Sequence, residues 1–259
     1  MRVPIRIIGI VTSIFWIFLI IFAFSAVYSI KDMQFSLGEP GATPTQDNNI
    51  LLTFPVSVTN TGYYDLTSFN VSMRISDTNG SEVTSGSTFI PVVAPGQTIN
   101  TTHSMELNVT GLLEANQDLL FNDSNWNVNE IVSMSAAEVV PIRASSNLSM
   151  PWGAPLYDLL FGPLETDRYN SSHLRVAIPM SFENHAFFDL TGTVKTRIYS
   201  NDNSFVGKCQ INLEALEHSP FKGKLEFILP SRTISNIRLE ALFETQFFTY
   251  GPMVIDFGS

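Results

Sequence analysis

The sequence predicts an all-β body of two tandem antiparallel β-sandwiches, carried behind one N-terminal transmembrane α-helix. Three observations predict it: an uncharged apolar run near the N-terminus, alternating Val-, Ile- and Phe-rich segments separated by turn signals, and an eight-residue motif that occurs twice.

The apolar run lies between Arg6 and Lys31 and holds no charge in 24 residues. As a helix it would be about 36 Å long, enough to cross a hydrocarbon core of about 30 Å with some tilt. Residues 7–30 are therefore assigned to the span and residues 1–6 to a cytoplasmic N-terminus. Arg2 and Arg6 precede the span, whereas Lys31 follows it beside Asp32. The positive-inside rule then exports the body to the extracellular or periplasmic side of a cell membrane. Tyr28, near the outer end, suits the interface. A cleaved signal peptide would have a shorter apolar core, of about 7 to 15 residues. Ala23-Phe24-Ser25 is a poor cleavage site, so an uncleaved single-pass anchor is expected.

The rest of the chain, about 230 residues, suits two modules of roughly 100 to 120 residues each. We place them at residues 31–155 and 156–259. Charge is uneven: residues 32–160 hold thirteen acids against Arg74 and Arg143, and residues 161–259 hold eleven acids against nine bases. Nucleic-acid binding needs clustered Lys and Arg, so such a partner is excluded. Cys209 is the one cysteine, so no internal disulfide supports the fold, and a buried apolar role is expected for it. Seven Asn-x-Ser/Thr sequons, at Asn70, Asn79, Asn100, Asn108, Asn122, Asn147 and Asn170, agree with an exported and glycosylated surface.

The duplicated motif reads Asn60-Thr61-Gly62-Tyr63-Tyr64-Asp65-Leu66-Thr67 and Asn184-His185-Ala186-Phe187-Phe188-Asp189-Leu190-Thr191. After a one-residue offset, Val71, Arg74 and Ile75 correspond to Val194, Arg197 and Ile198. Leu52–Val58 precedes the first copy and Val176–Phe182 the second, and the copies are read as closing alike, at Trp152-Gly153-Ala154-Pro155 and Tyr250-Gly251-Pro252. Self-similarity at this level points to a duplicated supersecondary unit. Leu52, Phe54, Val56 and Val58 alternate with polar residues, the period of a half-buried strand. Asn60 and Asn184 are expected to end that strand in a turn, because an Asn side chain bonds nearby backbone. Asp65 and Asp189 are expected to accept backbone N–H groups there, and Leu66 and Leu190 to pin the turn to the core.

Further strands are expected at Phe69–Ile75, Ser87–Val93, Thr102–Val109 and Ile131–Arg143. In the second copy they fall at Val194–Ser200, Lys208–Leu213, Lys222–Ile228 and Ile237–Thr249. Asp77-Thr78-Asn79-Gly80 is expected to be an Asn-Gly hairpin turn. Residues 112–126 form a short helical excursion or a long loop.

The strand ending in Asn, the aromatic-Asp-Leu step, the Gly turn and the late Gly-Pro resemble the late-embryogenesis-abundant type 2 domain, also called the water-stress and hypersensitive-response domain. The resemblance covers about residues 32–259; where that family usually has Pro after the Asn, this chain has Thr61 and His185. It implies an immunoglobulin- or fibronectin-III-like sandwich without catalytic residues or cofactor. It also implies a binding or protective role, tied in some members to desiccation or lipids. Archaeal members commonly pair a membrane anchor with one or two such domains.

Chemistry-bearing patterns are sparse. His103, His173, His185 and His218 lack metal-ligand spacing, and no phosphate loop or nucleophile elbow occurs. His185 and Glu183 are expected to point apart. Asp47, Asp65, Asp77 and Asp123 could supply oxygen to calcium, but their spacing matches no binding loop. The expected function is thus a non-catalytic structural or binding role at the envelope, toward another envelope protein. The alternative is a lipid-binding or stress-protective module, suggested by the phenylalanines of the second copy.

Overall fold

The computed structural model describes residues 3–31, 33–200, 202–230 and 237–257. Arg2 and the side chain of Arg6, on which the topology expectation rests, lie outside the described parts.

Helix α1 (Val3–Ile30) is largely apolar, and its segment Val11–Ser29 has a mean hydropathy of 2.2 and is only 6% buried. It is long and apolar enough to cross a membrane. The body that follows is β-sandwich in kind. Its first half contains β1 (Gln34–Leu37), β2 (Gly41–Pro44), β3 (Ile50–Thr59), β4 (Leu66–Ser76), β5 (Glu82–Val93), β6 (Thr98–Leu107), β7 (Ser124–Ala136) and β8 (Val140–Trp152). The second contains β9 (Tyr157–Phe161), β10 (Glu165–Arg168), β11 (His173–Asn184), β12 (Leu190–Ser200), β13 (Phe205–Ala215), β14 (Ser219–Pro230), β15 (Ile237–Thr245) and β16 (Thr249–Phe257).

All pairings among the described residues are antiparallel. β3 pairs with β1, β2 and β6, while β4 lies between β5 and β7, with β8 outside β7. β11 pairs with β9, β10 and β14, while β12 lies between β13 and β15, with β16 outside β15. Adding eight to each strand number of the first half gives the pairings of the second. Even the approach of the loop leading in repeats: Gly38 N donates to Pro55 O at 2.7 Å, and Gly162 N to Pro179 O at 2.8 Å. The one-residue offset in the sequence match is a β-bulge. Thr67 faces Ser135 and Asn70 faces Ser133, so Ser68 and Phe69 share one partner position on β7, and Ser68 takes φ +54°.

Alternation along the strands builds the cores, because successive side chains point to opposite faces. Val56 and Val58 of β3 pack on Phe69 and Val71 of β4 and on Val132 and Met134 of β7. Val176 and Ile178 of β11 pack likewise on Ile198, Leu225, Phe227 and Leu239. A third cluster runs across the junction of the halves, from Ile50, Leu107, Trp126 and Trp152 to Phe182, Phe188, Phe243 and Phe247. The division at residue 155 therefore falls between two fully buried residues, Ala154 and Leu156, and not in an exposed linker.

Four sequence expectations need correction. Ile131–Arg143 is not one strand but a hairpin between β7 and β8. Its turn uses Ala137 and Glu138 at φ +49° and +62°, with no Gly, Asn or Pro to announce it. Ile237–Thr249 is likewise split, at residues 246–248, where Thr245 Oγ1 accepts from the backbone N–H groups of Phe247 and Phe248. The Asp77–Gly80 turn has only Gly80 at positive φ, so it is not the Asn-Gly turn, which needs φ > 0 at both central residues. Gly80 N donates instead to Asp77 O, and Asp77 Oδ1 accepts from Asn79 N and Ser81 N. Finally, Trp152 ends β8 whereas Tyr250 is the second residue of β16, so those two closings are not equivalent positions. Residues 112–126 fall across α2 (Val109–Ala115), a 3₁₀ turn (Gln117–Leu120) and the start of β7, with Asn108 capping α2 through Gly111 N at 2.8 Å.

Candidate functional site at two equivalent joints

The repeated motif makes the same turn in both halves. Asn60 is buried; its Nδ2 donates to Tyr64 O (2.9 Å) and Val93 O (2.7 Å), and its Oδ1 accepts from Gly62 N (3.0 Å). Asn184 is buried in the same way. Its Nδ2 donates to Phe188 O (2.9 Å), Ala215 O (3.1 Å) and Leu216 O (3.0 Å), and its Oδ1 accepts from Ala186 N (3.1 Å). Each Asn thus satisfies buried backbone groups that a turn would otherwise orphan. Leu66 and Leu190 are 2% and 0% exposed at the start of β4 and β12. Asp189 Oδ1 accepts from Glu217 N at 2.8 Å, whereas at Asp65 the backbone carbonyl accepts from Ala137 N.

Each turn grips the unit before it. In the first copy that unit is α1. Ser29 Oγ accepts from Tyr63 N (2.7 Å) and Tyr64 N (3.3 Å), Ser25 Oγ meets the Tyr64 hydroxyl at 2.8 Å, and Phe22 meets the Tyr64 ring edge-on at 5.7 Å. A Cβ on Gly62 would fall 2.2 Å from Ser29 Oγ, so only glycine allows this approach.

In the second copy the preceding unit is the first half of the body. His185 N donates to Ala154 O (3.0 Å), and a Cβ on Gly153 would lie 1.8 Å from His185 O. Trp152 stacks on Trp126 with centroids 4.8 Å apart and meets Phe187 and Phe188 at 5.9 and 6.1 Å. Its indole N–H donates to Leu119 O at 2.9 Å.

An ion-paired histidine closes this joint. His185 Nδ1 meets Asp123 Oδ2 across the junction at 2.8 Å, its Nε2 meets Glu183 Oε2 at 3.0 Å, and its ring stacks on Tyr157 at 4.2 Å. The expectation that Glu183 and His185 point apart is corrected: they are two residues apart at the end of a strand and reach the same side. Asp123 also accepts from Ala154 N through Oδ1, tying the linker to the same carboxylate. The hydrogen bond to Glu183 is the largest cause holding the imidazolium above the ordinary value of 6.5; burial opposes it, and Asp123 adds to it. Sequence reasoning named Asp123 only as an oxygen donor and missed its pairing with His185, 62 residues away, which gives no local signal. His218 shares the adjoining 490 Å³ cleft with Asp123, Trp152, His185 and Phe187.

The sign of the pH dependence follows. A histidine whose folded value is raised contributes stability that is present below 6.5 and lost as pH rises through the folded value. His103 acts in the opposite sense: it is buried, with Nδ1 on Thr88 Oγ1, and burial lowers its value, so stability falls as pH drops through the ordinary histidine range. Thermal midpoints are therefore expected to fall on the alkaline side from about pH 6 to pH 9 in a His185-dependent way. His185→Gln should abolish that alkaline limb and leave the acid limb; an unchanged alkaline limb in His185→Gln would show that the joint carries no such charge.

The other residues singled out in the sequence are scattered. Among the sequons, Asn79, Asn100, Asn108, Asn122, Asn147 and Asn170 are exposed, and Asn70 is half-buried on β4. Cys209 is half-buried on β13 against the second core. Asp47, Asp65, Asp77 and Asp123 do not converge, and among the described residues no group of three or more His, Cys, Asp or Glu could hold a metal. Phe182, Phe188, Phe227, Phe243, Phe247 and Phe248 are buried core residues, and Phe187 and Phe188 border a small hollow of about 210 Å³ with Ala42, Pro44 and Ile50. Equivalent hollows lie on the outer sheet faces, one at Arg197, Lys208 and Gln210 and one at Arg74, Ser85 and Ser87.

No protein-family model matches this chain, and no curated protein matches it in sequence. Among solved structures it is similar to the ApaA protein of Bordetella pertussis, at 16% identity and TM-score 0.32 over 48% of this chain and 94% of that one. It is similar to red sea bream transglutaminase at 16% identity and TM-score 0.32, over 87% of this chain and 31% of the enzyme. A Bacteroides uniformis β-glucuronidase matches at 10% identity and TM-score 0.32, over 80% of this chain and 26% of the enzyme. The chain thus spans less than a third of either enzyme.

Proposed function

We propose that this protein is a membrane-anchored, exported spacer that holds a non-catalytic binding module at a fixed distance from the membrane. On this reading its body is two tandem immunoglobulin- or fibronectin-III-like sandwiches, in keeping with the resemblance to the water-stress domain. The observation that supports it best is the reuse of one turn as a joint: α1 seats against Gly62-Tyr63-Tyr64, and the first module seats against His185-Ala186-Phe187-Phe188. Both joints use close backbone approach, which favours a fixed geometry over a flexible tether. The partner is another envelope component, met by the outer faces or far end of the second module.

Protease added to right-side-out vesicles is expected to digest the body while leaving a tag on the N-terminus intact. A protected body with an accessible N-terminus would overturn the exported orientation.

A further inference from the structure

The two modules differ in what covers the end that carries the repeated turn. In the second module that end is packed away: Phe187 is half-buried against Trp152, and Phe247 and Phe248, in the loop between β15 and β16, are 1% and 5% exposed. In the first module the corresponding residues stand open, with Tyr63 73% exposed and Val139, in the loop between β7 and β8, 65% exposed. These loops form one surface. Ala137 N donates to Asp65 O, Asn60 N to Gln97 O, and Gly96 N to Asn60 O, which joins the β5–β6 loop to the other two. The sequons all fall outside residues 60–65, 94–97 and 137–139.

The length of α1 says what lies against this end. As a helix its charge-free residues 7–30 rise about 36 Å, whereas a hydrocarbon core needs about 30 Å. The surplus of about four residues falls at the end that contacts the body, the stretch from Phe22 to Ser29. Within it Ala26 is fully buried and Ser29 is 5% exposed. The helix therefore leaves the bilayer directly into the turn, with no tether to lift the module away. Tyr28 is exposed on the same stretch, with Lys31 Nζ 5.6 Å from its ring. Tyrosine has an apolar body and a polar tip, which suits the headgroup layer. Lys31, Asp65 and Glu138 give this end charges of both signs, which suits a zwitterionic surface better than an anionic one.

We propose that the helix-proximal end of the first module rests on the lipid headgroup layer, with Tyr63 and Val139 in contact with it. The bilayer takes the place that the first module takes beneath the second. This rests on reading α1 as an anchor, and the test separates the two. The full chain, with Cys209→Ser, is placed in phosphatidylcholine nanodiscs and labelled with a fluorophore at one introduced cysteine: Phe18→Cys, Tyr63→Cys, Val139→Cys or Asn79→Cys. Nitroxide lipids labelled on the headgroup or deep in the acyl chain serve as quenchers. Positions 63 and 139 are expected to lose most of their fluorescence to the headgroup nitroxide, position 18 to the acyl-chain nitroxide, and position 79 to neither. If position 18 is quenched while 63 and 139 behave like 79, the lipid contact is wrong and the anchor stands. If position 18 escapes the acyl-chain nitroxide, the anchor reading itself fails.

Discussion

Trp152→Ala is expected to lower the unfolding free energy of the body by about 3–5 kcal/mol, the usual cost of emptying a large aromatic site that cannot collapse. Trp152 is fully buried, stacked on Trp126 from one module and edge-on to Phe187 from the other. The loss also leaves Leu119 O without its indole donor. Trp152→Phe should recover part of the packing but not that hydrogen bond. Denaturant unfolding followed by fluorescence and by circular dichroism measures both variants. A cost within about 0.5 kcal/mol, typical of a surface change, would mean that the modules do not share this core.

Asn184→Ala is expected to cost a similar amount, about 3–5 kcal/mol, by a different route. It removes the donor to three carbonyls, of Phe188 in the turn and of Ala215 and Leu216 at the end of β13, and the acceptor for Ala186 N. Each buried group left unsatisfied costs about 1–3 kcal/mol, and partial compensation by neighbours keeps the sum below the simple total. Asn184→Asp should do no better, since it supplies acceptors where donors are needed and buries a charge. If the turn served only to contact a partner, both variants would unfold at the wild-type midpoint and lose the partner instead.

Much of this fold is legible in the sequence because its signals are local. The 24-residue apolar run marks the helix, period-two alternation marks β3 and β4, and the Asn-to-Leu motif marks the turn. Strand ends are less legible where the turn lacks the usual residues. Ala137 and Glu138 take positive φ with no Gly or Asn, so β7 and β8 read as one strand. The joints are not legible at all. Motif residues carry two signals at once, one for the turn and one for the neighbour, and only the first is visible in a single chain. Gly62 reads as a turn glycine, yet it is the approach of Ser29 that excludes a side chain there. His185 reads as a departure from a Pro position, yet it holds Asp123, which no spacing rule connects to it.

On the spacer reading, α1 and the two modules form one continuous body through two uses of the same joint. Spin labels at Val139→Cys and Phe205→Cys, in a Cys209→Ser background, report this most directly. They sit at the helix-proximal end of the first module and the far end of the second, and both positions are more than half exposed. Electron–electron dipolar spectroscopy of the full chain in nanodiscs should give one narrow distance population, which broadens in Trp152→Ala. A broad distribution in the unmodified background, unchanged by Trp152→Ala, would contradict a rigid spacer.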